Sequence, residues 1–269
     1  MKKIYFIIAA AAMFLAVDAS AQIGVGLGYN LLTTTATMAD ESEDDSLNGF
    51  YLEATYDFNF LNKSWGSLGL QPGVRYTFAG ESESDEVAGV KAKASFTEHY
   101  LDVPVNVKYA YDIIPTTLKV YAFAGPVFSL GLASNLKAGA GETSVKTKAS
   151  FTEHYLDIPV NVKYAYEIIP STLKAYAFAG PVFSLGLASN LKTGAGDTSV
   201  KTNNYKDTEY GRFDIKFGLG AGVTLAEKLN VKLGYNIGML NRYTGEQISK
   251  DYKYKTHTGV FYIGVGFNF

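Results

Sequence analysis

Residues 91–115, KAKASFTEHYLDVPVNVKYAYDIIP, return almost unchanged as residues 146–170, KTKASFTEHYLDIPVNVKYAYEIIP. The similarity extends over two 55-residue copies, 91–145 and 146–200, which differ at seven aligned positions. A repeat of fixed length identifies the structural unit of a fold. Any fold proposed for this chain must therefore tolerate the insertion of one whole extra copy.

Each copy contains two strands joined by a short turn. Residues 101–111 alternate between apolar side chains and others that include Asp102 and Lys108, which is the period of a strand with one apolar face. After the turn at 112–117, the strand 118–132 is apolar on both faces, so its phase is open, as is that of its counterpart 173–187. We expect Val120, Ala122, Ala124, Phe128 and Leu130 to point outward, and Tyr121, Phe123, Gly125 and Ser129 to point inward.

Six further alternating runs lie outside the repeat, at residues 23–31, 50–60, 68–78, 213–224, 229–239 and 261–269. With two strands from each copy, the sequence predicts ten strands. Short turns of about three to six residues alternate with polar loops of roughly twelve to twenty, an asymmetry typical of transmembrane barrels. A soluble sandwich also alternates, but it would bury the apolar face. We therefore predict an all-β protein, a ten-stranded, antiparallel, up-and-down transmembrane β-barrel.

The amino terminus has the features of a secretory signal. Two lysines precede the apolar run 4–17, and the small residues 19–21 suit a cleavage site. The apolar run is shorter than the roughly 20 residues of a transmembrane helix. The sequence predicts a signal peptide at 1–21, a barrel domain at 22–269, and export through the periplasm to the outer membrane.

The composition excludes several classes of function. The chain has no cysteine, so disulfides, thiolate metal sites and cysteine nucleophiles are excluded. The formal net charge of −2 gives no reason to expect nucleic acid as a partner.

Several motifs resemble one family. The strand YLDVPVNVKY at 100–109, the strand YAFAGP at 121–126, the glycine-alternating first strand and the terminal Phe269 resemble the small "porin family" outer-membrane β-barrel proteins of Bacteroidetes, which are Gram-negative. The resemblance implies an eight-stranded plan, to which this chain adds one duplicated hairpin. It also implies that Phe269 is recognised by the outer-membrane assembly machinery. It implies no particular activity.

Charged residues on the predicted inward face are of both signs. They are Glu53, Asp57, Arg75, Asp102, Lys108, Asp157, Lys163, Asp214, Lys216 and Lys232. A selectivity filter would favour one sign at one level, whereas mixed signs favour ion pairs that fill the lumen. The glycine triplets at 24–28 and 218–222 have period two and no following helix, so we interpret them as small residues in a crowded lumen, not as phosphate loops. Pro104 and Pro159 predict local bulges.

Three histidines, His99, His154 and His257, fall near the rim with long loops, where a hydrolase would place its catalytic groups. Adjacent residues of a strand point to opposite faces, so Glu98 does not orient His99. We predict no catalytic, cofactor-binding or metal-binding residues.

Charged runs in the loops suggest contacts outside the barrel. The acidic runs 40–45 and 81–86 could bind Ca²⁺ or bridge to lipopolysaccharide, but solvated loops are the interpretation we favour. Lys250, Lys253 and Lys255 alternate with Tyr252 and Tyr254, which suits either contact with lipopolysaccharide phosphates or a strand above the membrane.

The sequence favours a non-enzymatic barrel with a largely closed polar lumen and surface loops for envelope interaction or adhesion. The first alternative is a narrow passive pore for small solutes, and a third hypothesis is a hydrolase at the rim. The expected partners are outer-membrane lipid, lipopolysaccharide and the assembly machinery, without cofactors or nucleic acid. The loop ligand, the conductance of the lumen and the oligomeric state stay open.

Overall fold

A computed structural model describes residues 21–38, 41–87, 90–140, 147–195, 198–208, 210–245 and 254–269. The elements, in chain order, are β1 (Ala21–Met38), β2 (Glu41–Lys63), β3 (Gly66–Val87), β4 (Val90–Ile114), β5 (Leu118–Ala124), β6 (Val127–Ala140), β7 (Thr147–Ile169), β8 (Leu173–Ala195), β9 (Thr198–Asn203), the short helix α1 (Asn204–Asp207), β10 (Phe213–Leu225), β11 (Leu229–Gly238) and β12 (Tyr254–Asn268). The described residues include no helix that is long and apolar enough to cross a membrane.

The strands form one closed antiparallel ring. Each strand pairs with its sequence neighbour, and β12 pairs with β1 from Gly24↔Asn268 up to Met38↔Tyr254. Because β5 and β6 are one strand interrupted at Gly125–Pro126, and β9 pairs only with the end of β8 that β10 does not reach, the ring has ten strands. The predicted strand count and the closed up-and-down order are confirmed.

Alternation along each strand separates an apolar outer face from a polar interior. On β1 and β2, Leu27 is 61% exposed on the outer face, whereas Tyr51 points inward and is 3% exposed. The predicted phase of 118–132 is confirmed, since Phe128 and Leu130 are exposed and Ser129 between them is buried. The outward apolar side chains form a continuous band, which we call the belt.

At the end opposite the short turns, the strands continue beyond the belt. The interpretation of the acidic runs 40–45 and 81–86 as loops is largely wrong, because β2 begins at Glu41, and β3 runs through 81–86 to Val87. Hydroxyl contacts such as Thr33–Ser46 at 3.2 Å join β1 to β2 there. Polar side chains indicate exposure to water, but they do not prevent backbone pairing. The 23 residues of β2 span about 75 Å at roughly 3.3 Å per residue, far more than a belt of about 25 Å requires. We call these extensions the arms.

The predicted bulges at Pro104 and Pro159 are wrong. The register between β4 and its partner strand is the same at Val107↔Ala124 as at Pro104↔Val127. The register shifts instead at His99/Tyr100 and at the equivalent His154/Tyr155. A proline lacks a donor but needs no extra residue when the neighbouring strand leaves that position unpaired.

Candidate functional site

The lower lumen, toward the short turns, is held together by ion pairs across the ring. The carboxylate of Glu53 on β2 lies 2.6 Å from Nη2 of Arg75 on β3 and 2.5 Å from Nζ of Lys232 on β11. The Arg75 guanidinium also lies 4.7 Å from the centroid of the Tyr51 ring. The prediction that inward charges of mixed sign form ion pairs is confirmed for these residues. Glu53 and Arg75 are paired on neighbouring strands, whereas the contact of Glu53 with Lys232 connects strands that are far apart in the sequence.

The equivalent lysines of the two repeat copies have different partners. Lys108 of the first copy forms a salt bridge with Asp57, which also accepts a hydrogen bond of 3.1 Å from Gln71. Lys163, its equivalent, has no carboxylate partner among the described residues, and its Nζ lies 3.8 Å from the centroid of the Tyr176 ring. Duplication added a lysine but not a second Asp57.

A polar cavity of about 570 Å³ occupies this part of the lumen. It is lined by charged groups, including Glu53, Arg75 and Lys163, and by amides and aromatic rings. It reaches Gly24 and Asn268, close to the short-turn end of β1 and β12. The barrel therefore contains space for small solutes at that end.

The glycines of β1 make room for side chains that cross the lumen. A Cβ at Gly28 would collide with the Tyr51 ring, which also lies against Gly264 on β12. The interpretation of the glycine triplets as small residues in a crowded lumen is confirmed at this point.

Above the cavity, α1 folds into the barrel. Asn203 caps the helix by accepting a hydrogen bond of 3.1 Å from the Tyr205 amide. The Tyr205 hydroxyl then donates a hydrogen bond of 2.8 Å to Oε1 of Glu153 on β7, and Asn204 donates one of 3.1 Å to Ser189 on β8. A helix of one turn is thereby anchored to two strands of the second copy.

A second connection, after β11, enters the same space. Nε of Arg242 donates a hydrogen bond of 2.9 Å to the Gly211 carbonyl, and its guanidinium lies 4.5 Å from the centroid of the Tyr210 ring. Nη1 of Arg242 is 3.9 Å from Asp214 on β10, and the two residues are 3% and 0% exposed. We call Glu153, Tyr205, Tyr210, Asp214 and Arg242 together the seal.

The wall of the lumen is buried at this level. Ser189 is 0% exposed, and Glu98, Ser134 and Ser184 are also buried. Inward side chains at the same level therefore contact protein and not an open channel. In the described part of the chain, the seal separates the cavity from the arms.

Burial changes the acidity of the two tyrosines of the seal. Burial raises the pKa of the Tyr205 phenol above its ordinary value, and the Glu153 carboxylate beside it raises the pKa further. Burial also raises the pKa of Tyr210, against the opposing effect of Arg242. Both phenols are therefore neutral at physiological pH, and that of Tyr205 donates its hydrogen bond to Glu153.

The structure does not bring the three histidines together. Nδ1 of His99 lies 2.6 Å from the Tyr76 hydroxyl on the outer face, beside Phe78. His154 on β7 is the repeat equivalent of His99, and His257 on β12 is paired with Thr35 on β1. Both histidines are at outward positions in the alternation. Glu98 points inward and is buried, on the face opposite to His99, so it does not orient His99, as predicted.

The remaining candidates are distributed over the arms. Glu41–Asp45 is an exposed segment of β2, and no three described His, Asp or Glu side chains come together as a metal-ligand set. Lys255 is exposed on β12, whereas Lys250, Tyr252 and Lys253 lie outside the described residues.

Sequence reasoning missed most of the seal. Tyr205, Tyr210 and Arg242 lie in segments without alternation, where the period of two predicts nothing. One signal was present, since Asn203 is a favourable helix N-cap and precedes two tyrosines in an otherwise polar connection. That signal predicts a short helix but not the direction in which it folds.

Comparison with known sequences identifies the class. Two family profiles, both described as outer membrane protein beta-barrel domain, match residues 128–269 and 16–148. The first covers more than half of the chain, and the protein therefore belongs to this family of outer-membrane β-barrels. No functionally curated protein matches the sequence.

The chain is also similar to several solved structures, at low sequence identity. The outer membrane protease OmpT of Escherichia coli is 9% identical, covers 93% of this chain and 97% of its own, and has a TM-score of 0.51. The translocator domain of the autotransporter NalP from Neisseria meningitidis is 14% identical over 99% and 95%, with a TM-score of 0.47. The attachment invasion locus protein Ail of Yersinia pestis is 11% identical over 93% and 99%, with a TM-score of 0.35. At these identities the likeness concerns the fold alone.

Proposed function

We propose that this protein is a non-enzymatic outer-membrane barrel whose lumen is closed and whose arms mediate interactions at the cell surface. The observation that carries the proposal is the seal. Because Asp214 and Ser189 are 0% exposed, a continuous aqueous path past them would require the inserted segments to move.

The anchoring of the seal supports a closed resting state. Tyr205 contacts β7, while Arg242 contacts the segment that leads into β10. The two inserted connections thus hold each other and the neighbouring strands β7, β8 and β10, and opening requires the loss of several buried polar contacts. Each such contact contributes on the order of 1 kcal/mol or more when it is buried.

The arms support the role in surface interaction. They are ordered sheet extensions, so they present side chains in fixed rows at a distance from the membrane. We therefore assign the arms to adhesion or envelope interaction as a class.

Export and assembly belong to the same proposal. The predicted signal peptide, residues 1–21, ends at the first residue of β1, so cleavage there would remove only Ala21 from the barrel strands. Phe269 lies at the short-turn end of the ring, where we expect the assembly machinery to engage it. The porin-family resemblance motivates the further proposal of a Bacteroidetes origin.

A narrow passive pore is the second candidate, favoured by the 570 Å³ cavity. It requires the seal to open, since the cavity lining includes neither Tyr205 nor Arg242. A hydrolase at the rim has less support, because His99 lies on the outer face and Glu98 on the inner one.

Conductance in a planar lipid bilayer tests the proposal. We expect purified, folded protein to give no stable single-channel current at neutral pH. The folded state is checked beforehand by the different gel migration of unheated and boiled samples in detergent. A stable current from protein that passes this check would defeat the closed-lumen proposal and favour the pore.

A further inference from the structure

Four lysines occupy adjacent positions on neighbouring strands of one arm. In the backbone register Lys137 on β6 is opposite Lys148 on β7, and Lys192 on β8 is opposite Lys201 on β9. Lys148 is opposite Gly194, two residues from Lys192. Directly opposite residues have Cβ atoms roughly 5 Å apart, and diagonal neighbours are about 7–8 Å apart. The four positions therefore form one row, which we call the lysine row.

Lys192 and Lys201, the two members of the row whose side chains the structure describes, lie on the outside of the arm. On β8, Ser189 points into the barrel at the seal, so alternation directs Lys192, three residues later, outward. Lys192 and Lys201 are both exposed. Leu187, the last exposed apolar residue of the belt on β8, is five residues below Lys192. At about 3.4 Å per residue and a tilt of about 40°, Lys192 lies roughly 13 Å above the belt.

No carboxylate compensates the row within the described part of this face. The outward positions around it on β7, β8 and β9 carry Ser150, Asn190 and Asn203. Like charges directly opposite each other on a sheet destabilise it. A row of lysines on four adjacent strands is thus unfavourable in isolation and becomes favourable when an anion lies against it.

We propose that the lysine row binds the phosphate groups of phosphorylated glycolipid in the outer leaflet around the barrel. The occupant is lipid because the row faces sideways, on the same face as the belt and directly above it. Its positive charge complements headgroup phosphates at that height. The proposal uses the membrane location of the barrel and does not depend on whether the lumen conducts.

The proposal also gives the repeat a surface role. Lys192 is the copy of Lys137, and Lys148 is the copy of Lys93 on β4. Duplication of the hairpin therefore lengthened the row by two strands. The binding surface for lipid phosphates grew with the barrel.

Binding to lipid A in detergent tests the proposal, with the full-length exported chain purified in its folded form. The probe is bisphosphorylated lipid A, and monophosphorylated lipid A and inorganic phosphate serve as separate arms. The test variant is Lys192→Gln/Lys201→Gln. The matched control, Lys63→Gln/Lys228→Gln, removes two exposed lysines at the short-turn end. We expect the test variant to bind bisphosphorylated lipid A at least about tenfold more weakly than the wild type, and the control to bind normally.

Three further results decide the proposal. Monophosphorylated lipid A should bind the wild type more weakly, and high salt should reduce wild-type binding more than that of the test variant. Lys192→Arg/Lys201→Arg should keep the affinity, which separates charge from folding. Equal binding by wild type and test variant, or equal loss in the control, would overturn the proposal. Displacement of lipid A by inorganic phosphate at similar concentration would also overturn it, in favour of a free-anion site.

Discussion

The Tyr205 hydroxyl donates a hydrogen bond of 2.8 Å to Oε1 of Glu153, which joins the inserted helix to the second copy of the repeat. The first copy places Glu98 at the equivalent position, and Tyr205 does not reach it. The duplicated sequences thus have different neighbours. One carboxylate became part of the seal, while its counterpart stayed in the wall of the lumen.

Replacement of Tyr205 by phenylalanine should destabilise the barrel. The variant keeps the ring but removes a donor from a buried carboxylate, so we expect the free energy of unfolding to fall by about 1–3 kcal/mol. Denaturant unfolding in lipid vesicles, followed by Trp65 fluorescence, measures the change. Tyr29→Phe is the control, because Tyr29 donates to Asn48 at an exposed position and should change stability by less than about 0.5 kcal/mol. Equal effects of both variants would contradict the role of Tyr205.

Alkaline pH should weaken the seal. The folded-state pKa of Tyr205 is raised by burial, so its stabilising contribution is complete below the ordinary tyrosine value of about 10 and is lost as the pH rises further. An ionised phenol beside Glu153 would also repel the carboxylate. We expect stability to fall more steeply between about pH 10 and 11 in the wild type than in Tyr205→Phe. Parallel curves would show that Tyr205 does not titrate in this way.

The Arg242–Asp214 pair should respond differently to single and double replacement. Arg242→Met leaves the fully buried Asp214 without its cation, which typically costs about 3–5 kcal/mol. Arg242→Met combined with Asp214→Leu removes both charges and should recover most of that loss. Unfolding in vesicles gives all four corners of this double-mutant cycle. Simple additivity would mean that the two residues are not coupled.

Excision of residues 146–200 should leave an eight-stranded barrel. The deletion removes β7 and β8 together, so the strand count stays even and the last strand keeps its direction. Glu98 and Ser134 then occupy the positions of Glu153 and Ser189, and we expect Tyr205 to bond to Glu98. The deletion product should remain heat-modifiable in detergent, and Glu98→Gln should destabilise it more than it destabilises the full chain. An aggregated product, or one insensitive to boiling, would contradict this expectation.

Joint replacement of His99, His154 and His257 by alanine should leave the fold and any surface phenotype unchanged. His99 contacts Tyr76 on the exposed outer face, where the loss of one hydrogen bond has a small effect. Heat-modifiability and hydrolysis of ester and peptide substrates are the measurements. A hydrolytic activity that is present in the wild type and lost in the triple variant would establish the rim enzyme instead.

The architecture followed from the sequence because its signals are local. Alternation with period two assigns Leu27 and Leu52 to the outer face and Glu53 and Arg75 to the lumen, and pairing between neighbouring strands then sets their contacts. The repeat carries an even number of strands, so closure and strand direction survive its duplication. The extent of the arms was underestimated, because polarity at 39–48 is equally compatible with a loop and with an exposed strand.

The candidate site was predictable only in part. The mixture of inward charges predicted ion pairs, and the pairs of Glu53 with Arg75 and Lys232 confirm it. Lys163 lies on the Tyr176 ring, whereas its equivalent Lys108 pairs with Asp57. The two nearly identical segments do not predict this difference. The difference arises from the strands across the ring.

The sequence by itself determined the strands, their faces, their number and the place of the repeat, because each depends on residues that are neighbours along the chain. The tertiary structure decided the seal and the lysine row. The seal joins Glu153 to Tyr205 and Arg242 to Asp214 across irregular segments, and the lysine row depends on the register of four strands. Such contacts form only when the closed ring brings distant positions to the same height, a condition that no local pattern encodes.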